Sequence, residues 1–298
     1  MQAVVMHRTG DPDVLQIEDV PLPEPAEGQL LVRIRAAAVN PIDWKYRRGM
    51  MPKDLPAVLG SDISGAVEVS RVPGFAGGDE VFGFAASGAY AEFATSAPAM
   101  LARKPAGLSD EQAAALPVAG LTAWQALFDR GGLKRGQTVL IAGGAGGVGH
   151  LAVQFAKHAG ARVIATGSAR NRDYVLGLGA DEYLDYAMAE VGGSAHVVFD
   201  TVGGATTETL IVALREGGVI VTIAGPPPQE AAAARGARAE MLIMNPSSEQ
   251  LARIAELVAA GEVHVEIAGV LPLSEASRAH ELSESGHTRG KLILTVAA

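Results

Sequence analysis

The sequence predicts an α/β chain in two parts, a region of short strands followed by a doubly wound parallel sheet. Three observations predict it. Before residue 110, short apolar runs alternate with Gly/Pro turns, which suits a barrel or sandwich. From Ser109 on, apolar strands alternate with helical segments at the spacing of βα units. One of those strand–helix junctions carries Gly144, Gly146 and Gly149 in the pattern G-x-G-x-x-G.

In chain order, Gln2–Met6 reads as a strand, and Leu15–Val20 follows the turn at Gly10-Asp11-Pro12. Pro21, Pro23 and Pro25 suit an extended connector. In Gln29–Ala38, Ile34 and Ala36 alternate with Arg33 and Arg35, a half-buried strand. Gly65–Val69 and Asp79–Phe82 are further short strands between glycine turns. Ser109 then caps a helix opened by Asp110, Glu111 and Gln112, and Gly120–Phe128 reads as another helix. Strands at Thr138–Ala142, Arg162–Thr166, Val197–Asp200 and Val219–Ile223 alternate with helices at Gly149–His158, Arg172–Leu178 and Ala205–Leu214. These strands are short and continuously apolar, as both-face burial requires. Glu240–Met244 reads as an apolar edge strand, and Ser247–Ala260 as a helix capped by Ser247. The tail has strands at Val263–Ile267 and Leu292–Val296 around a helix near Ser274–Ser285, and is expected to rejoin the first domain. The expected division is residues 1–112 with 262–298, and 113–261 inserted between them.

A chain of 298 residues supports about two domains at ~100–200 residues each. It has no cysteine, which excludes disulfide frameworks, Cys-ligated zinc, Fe–S clusters and a thiol nucleophile. A net charge of -9 disfavours a nucleic-acid partner. No apolar stretch approaches the ~20 residues of a membrane span. Met1 to Glu18 has no apolar signal core, so the expectation is a soluble cytoplasmic protein. The 7 histidines show no metal-ligand spacing, and no G-x-S-x-G elbow occurs. Glycine is abundant, 36 residues or about 12% against an ordinary ~7%, and it is clustered.

The largest cluster is the turn between the strand Thr138–Ala142 and the following helix. Gly144, Gly146, Gly147, Val148 and Gly149 form a tight turn whose backbone can approach a pyrophosphate, and the helix N-terminus favours an anion. The alternative is a turn kept for packing alone. No Gly-Lys-Ser/Thr follows, which disfavours a nucleoside-triphosphate loop. The next strand ends at Val163–Ser168 without the carboxylate that NAD binders use, and Arg170, Asn171 and Arg172 come next. A hydroxyl and guanidiniums bind a 2′-phosphate where a carboxylate repels it, so NADPH is the expected cofactor.

Several segments then carry a resemblance. They are Val39-Asn-Pro-Ile-Asp-Trp-Lys-Tyr-Arg-Arg-Gly49, Leu59-Gly-Ser-Asp-Ile-Ser-Gly-Ala66, Gly78-Asp-Glu-Val-Phe-Gly83 and Pro117-Val-Ala-Gly-Leu-Thr-Ala-Trp124. Ala145-Gly-Gly-Val-Gly149, Leu178-Gly-Ala-Asp181, Phe199-Asp-Thr-Val-Gly-Gly204 and Arg289-Gly-Lys291 follow in order. With them the chain resembles the zinc-independent quinone oxidoreductase (zeta-crystallin-like) branch of the medium-chain dehydrogenase/reductase superfamily, over essentially its whole length. The resemblance implies a Rossmann domain inserted into a GroES-like β-barrel domain, with the nicotinamide in the cleft between them. It implies hydride transfer from NADPH to a quinone or to the C=C of an α,β-unsaturated carbonyl. Zinc alcohol dehydrogenases carry Cys where Asn40 stands, a His-Glu pair near Ser61-Asp62 and a four-Cys lobe; all are missing here. Lys45 stands where quinone reductases usually have Tyr, which tilts the expectation toward enones.

Negative charge builds on an oxygen in either reaction, so a donor must meet it. Asn40, Lys45 and Tyr46 are the candidates, one of which, or water, supplies the proton. The plainer readings are a turn at Asn40-Pro41 and an exposed basic turn at Lys45–Arg48. Asp43 is expected to fix this loop through backbone hydrogen bonds. By resemblance, Thr122 lies near the nicotinamide, and Ser168, Arg170, Asn171 and Tyr186 surround the 2′-phosphate. Val202 and Gly203 line adenine-ribose, and Ile223, Ala224 and Gly225 the nicotinamide. Arg289 and Lys291 meet phosphate or bound cofactor. An enoyl-thioester reductase and a non-catalytic NADPH binder are the alternatives. A homodimer through the 240–244 edge strand is expected.

Overall fold

The computed structural model describes residues 1–185 and 192–296. The chain opens with β1 (Gln2–Met6) and β2 (Leu15–Asp19), an antiparallel pair. β3 (Leu30–Val39) runs into α1 (Pro41–Arg47), a short helix where a loop was expected. Proline at the first helical position and the Asp43 carboxylate accepting from the Asn40 N–H at 2.8 Å start it. β4 (Ala57–Val58), β5 (Asp62–Ser70), β6 (Glu80–Phe84), β7 (Phe93–Ser96) and β8 (Leu101–Arg103) follow. Ser109 then caps α2 (Asp110–Ala114) in a full capping box with Gln112, and α3 (Pro117–Trp124) comes next.

The alternating region comprises β9 (Thr138–Ala142), α4 (Gly149–His158), β10 (Arg162–Gly167), α5 (Arg172–Gly177), β11 (Glu182–Asp185) and β12 (Ala195–Asp200). It continues with α6 (Ala205–Leu210), β13 (Leu214–Thr222), α7 (Gln229–Ala233) and β14 (Arg238–Met241). After it come α8 (Ser248–Ala259), β15 (Ile267–Pro272), α9 (Ala276–Glu284) and β16 (Lys291–Thr295).

Two compact units result. The first comprises Met1–Val118, Pro246–Gly261 and Val265–Ala298, the second Ala119–Asn245 with Glu262–His264. The division thus differs from the expected 113–261 mainly at α8. That helix buries Leu251, Ile254, Ala255 and Val258, and packs against β8 of the first unit.

In the first unit a sheet of order β15-β16-β3-β5-β6-β8, with β7 also on β3, lies beside a smaller sheet β2-β1-β4. Its core gathers Val4, Leu30, Ile34, Ile63, Val81, Tyr90 and Leu294. The returning tail does supply strands to this unit, but residues 263–266 form none. β15 begins at Ile267 and pairs in parallel with β16. The second unit is a six-stranded parallel sheet, β11-β10-β9-β12-β13-β14. The predicted helix 205–214 is shorter than expected, because β13 already begins at Leu214. The edge strand lies at Arg238–Met241 rather than 240–244, because Arg238 through Met241 register with Val219 through Thr222.

Gly65 lets β5 lie close against its antiparallel neighbour β3. A Cβ there would lie 2.0 Å from the Arg33 carbonyl oxygen. A Cβ on Gly177, at the end of α5, would meet nothing within 4 Å. Gly65→Ala is therefore expected to lower the thermal midpoint by several degrees. Gly177→Ala should leave it unchanged or raise it, since alanine is the better helix former. Calorimetry on the two variants checks this, and an unchanged midpoint for Gly65→Ala would contradict it.

Candidate active site

The second unit gathers most of its candidate residues at the carboxyl ends of the parallel strands β9, β10, β12 and β13. After β9 the chain turns sharply through Gly143–Val148 into α4. The N–H groups of Gly143 and Gly144 both donate to the Thr166 carbonyl at 3.0 Å, which ties the turn to β10. Gly149 is where the turn admits no side chain: a Cβ would lie 2.1 Å from the Gly143 carbonyl oxygen. At Gly146 a Cβ would lie 3.3 Å from the same carbonyl oxygen, so this position too is tight for a side chain. Gly147 and Val148 complete the turn, and α4 behind it spans ten residues with its N-terminal N–H groups toward the turn.

β10 ends beside it. Ser168 precedes a single turn in which the Asn171 amide donates to the Ser168 hydroxyl at 3.3 Å. Tyr183 donates to the Ser168 carbonyl at 2.8 Å. Arg170 is exposed, and Arg172 donates to the Tyr183 carbonyl at 2.9 Å. Tyr186 lies outside the described residues.

β12 ends in Asp200, which the sequence reading did not single out. Its buried carboxylate accepts from the N–H groups of Val202 at 2.9 Å and Gly203 at 3.0 Å, and from the hydroxyls of Thr207 and Thr222. The Ile223 N–H donates to the Asp200 carbonyl at 3.1 Å, and the Ala224 N–H to the Thr222 hydroxyl at 3.2 Å. One aspartate thus shapes both the Val202–Gly203 loop and the Ile223–Ala224–Gly225 loop. The available signal was an acid closing an otherwise apolar strand. Thr122 is buried on α3 in the same unit.

The first unit holds a buried polar cluster at the junction of β3 and α1. Asn40 is 2% exposed. Its Nδ2 donates to Asp62 at 3.0 Å, and its Oδ1 accepts from the ammonium of Lys291. Lys291 also donates to the Val39 carbonyl at 3.3 Å. A donor-only ammonium on one side and a carboxylate on the other fix which way the amide points. Asp62 additionally accepts from the Val118 N–H at 3.2 Å, at the start of α3.

Asp43 sits at the next position of this network. It accepts from the Asn40 N–H and, at 3.0 Å, from the Tyr90 hydroxyl. Behind Tyr90 lies His280, whose Nε2 is 3.1 Å from the phenol oxygen. The Arg47 Nε donates to His280 Nδ1 at 3.3 Å. Arginine cannot accept, so Nδ1 is the bare nitrogen and Nε2 carries the hydrogen. The hydrogen bonds then run one way, from Arg47 through His280 and Tyr90 to Asp43. Arg47 has no exposed side-chain surface; it pairs with Glu284 and donates to the Gly10 carbonyl at 2.6 Å. The chain therefore holds geometry and cannot relay protons from Arg47, which does not give one up.

Burial dominates the electrostatics. It raises Asp43 to about 6 against the lowering effect of the Asn40 N–H and Tyr90 hydroxyl. It raises Asp62 to about 7, with Lys291 and the Asn40 amide opposing. Burial lowers Lys291, while Asp62 and Asp43 favour its charged form. Burial and the Arg47 charge lower His280 to about 3, so it is neutral at pH 7.

The other two candidate donors stand apart from this cluster. The Lys45 ammonium lies 5.8 Å from the centre of the Trp44 ring. Tyr46 packs partly on the core, with the Lys53 ammonium 5.5 Å from its ring. Arg289 is exposed in the turn before β16, whereas Lys291 is drawn inside. Asp62, Tyr90, Arg47 and His280 were not foreseen, since nothing local in the sequence distinguishes an inward polar residue from a solvated one.

Burial in the folded state raises the Asp62 carboxyl from its ordinary 3.8 to about 7. Between those values the folded state keeps a proton that the unfolded state has lost. Its stabilising contribution is therefore full below 3.8 and lost as pH rises through 7. The apparent urea midpoint of the wild type should fall, relative to that of Asp62→Asn, between pH 5 and pH 8. Parallel pH profiles for the two proteins would count against the assignment.

Comparison with known proteins gives a consistent picture. Residues 26–106 match the alcohol dehydrogenase GroES-like domain, and residues 178–294 match a domain described as zinc-binding dehydrogenase. The chain is 36% identical to a chloroplast envelope quinone oxidoreductase homolog of Arabidopsis thaliana, over 94% of this chain and 93% of that one. It is 32% identical to the NADPH-dependent alkenal/one oxidoreductase of the same plant, over 99% of this chain and 79% of the other. Among solved structures, the quinone oxidoreductase from Coxiella burnetii is similar with a TM-score of 0.93 and 39% identity, covering 100% of this chain and 99% of that one.

Proposed function

The chain belongs to the quinone oxidoreductase branch of the medium-chain dehydrogenase/reductase superfamily, and on that premise we propose that it is an NADPH-dependent reductase of quinones or α,β-unsaturated carbonyls. The observation that carries the proposal is the Gly143–Gly149 turn, which is too tight for a side chain at Gly149 and leads directly into the N-terminus of α4. Those features suit a dinucleotide diphosphate laid against α4. Ser168, Arg170 and Asn171 would take the 2′-phosphate. The Val202–Gly203 and Ile223–Gly225 loops, both shaped by Asp200, would contact the rest of the dinucleotide through backbone, with Thr122 near the nicotinamide.

When bound, NADPH supplies a hydride. What the chain itself must do is hold a donor where negative charge develops on the acceptor's oxygen. Asn40 is the best-oriented of the three candidates, because Asp62 and Lys291 hold its amide from both ends. Lys45 or Tyr46, or water, would return the proton.

We read the enzyme as zinc-independent. Asn40, Asp43 and Asp62 surround an ammonium, a cation already, and the chain has no cysteine, so this donor set does not fit a zinc ion. Among the described residues, no group of three or more His, Cys, Asp and Glu could hold a metal. No described helix is long and apolar enough to cross a membrane. We further propose a homodimer through β14. It is an edge of the parallel sheet, and Met241 at its end and Ile243 just beyond it are 48% and 75% exposed.

Absorbance at 340 nm should show NADPH consumption with a quinone or a 2-alkenal. Turnover with neither sinks the reductase reading, and turnover only with a crotonyl thioester favours an enoyl-thioester reductase. Arg170→Ala should weaken NADPH binding about tenfold and NADH binding hardly at all, read by fluorescence titration. Equal losses would remove Arg170 from the 2′-phosphate. Light scattering should give twice the chain mass; a monomer mass would refute the dimer.

A further inference from the structure

Lys291 is a buried lysine, a rare state for a residue with so strongly hydrated a charge. Its placement follows from register. Leu292 on β16 faces Val39 on β3 in an antiparallel pair, so Lys291 comes opposite Asn40. Its ammonium donates to two neutral oxygens, the Val39 carbonyl and Asn40 Oδ1, while Asp62 and Asp43 favour its charge from further off. An amide whose oxygen accepts from a cation is polarised, and its N–H groups become stronger donors. Asn40 Nδ2 has two hydrogens. One goes to Asp62, and the other has no acceptor among the described residues.

We infer that Lys291 is a positioning residue that acts on the substrate through Asn40: it orients and polarises the amide so that the remaining Nδ2–H donates to the substrate oxygen that gains charge on hydride transfer. This rests on the reductase reading above. It replaces a contact between Lys291 and cofactor phosphate, which the sequence suggested, with a role one residue removed from the substrate. Asp62 completes the device by holding the other end of the amide, which prevents it from flipping.

Steady-state kinetics and one spectroscopic measurement test it. Lys291→Met keeps length and loses charge; it should lower kcat about tenfold and leave the NADPH dissociation constant within about twofold. Lys291→Arg, which keeps the charge, should recover most of that loss. Asn40→Asp keeps an oxygen for Lys291 but removes the donating nitrogen, and should lower kcat about a hundredfold. Adding Lys291→Met to Asn40→Asp should then cost little more. An unchanged kcat in Lys291→Met, or a loss of NADPH affinity at unchanged kcat, overturns the inference; the second result would restore the phosphate contact.

The NMR resonance of the Asn40 side-chain amide, identified by its loss in Asn40→Asp, provides a readout on the wild type that is free of turnover. In the wild type loaded with NADP+, where no hydride is available, 2-cyclohexenone should move it. An unmoved resonance overturns the inference. A wild type that reduces none of the carbonyl acceptors overturns the reductase reading instead, and this resonance still decides whether Asn40 meets a carbonyl oxygen.

Discussion

Burying the Lys291 ammonium is the constraint on which the first unit depends. A cation in the core needs oxygens and negative charge around it, and the unit supplies them from separate stretches of chain: Val39 and Asn40 at the end of β3, Asp43 on α1 and Asp62 on β5. Each contribution commits an element. Asp62 holds the first turn of α3 through the Val118 N–H, and Asp43 holds the first turn of α1 through the Asn40 N–H. The same carboxylates that balance the lysine therefore set where two helices begin. The close approach of β5 to β3 at Gly65 belongs to the same arrangement, since those strands lead to Asp62 and Asn40.

The second support of α1 comes from its far end. Arg47 is buried yet satisfied by Glu284, His280 and the Gly10 carbonyl, which ties α1 to α9 and to the N-terminal turn. Its donor-only chemistry fixes the tautomer of His280 and sends each hydrogen bond toward Asp43. Such a network is stable only when every member has its partner, because an unpaired buried group costs more than a pair gains. That is why α1, seven residues long, can present Asn40 in one orientation. The second unit solves an analogous problem with one carboxylate. Asp200 has backbone and hydroxyl donors around it, and two loops take their shape from it.

Much of this was legible in local pattern. The alternation of apolar strands with helices, the capping box at Ser109 and the glycine turn before α4 are written within a few residues of one another. At Gly149 the requirement is backbone clearance, a property of the turn itself, which is why the residue is recognisable from the local pattern. Strand limits were less legible. β13 begins at Leu214 because Ala195 on β12 pairs there, and β14 sits earlier than its apolar pattern suggests because Arg238 registers with Val219. Sequence neighbourhood places helix α8 with the sheet it follows, whereas it packs against β8 of the first unit.

By itself the sequence determined the two-part α/β architecture and the glycine turn before α4, and its ordered motifs carried the resemblance to the family. The architecture and the turn depend on periodicity and on the steric needs of glycine, both local properties. Tertiary structure alone decided which polar residues turn inward. Lys291 and Arg289 are two positions apart and look equally solvated in sequence, yet one ammonium is buried against Asn40, 251 positions away, and the other side chain is exposed. Asp62, Tyr90 and His280 entered the site for the same reason. Burial of a charge is permitted only where distant segments bring it compensating partners, and no single segment of the sequence contains them.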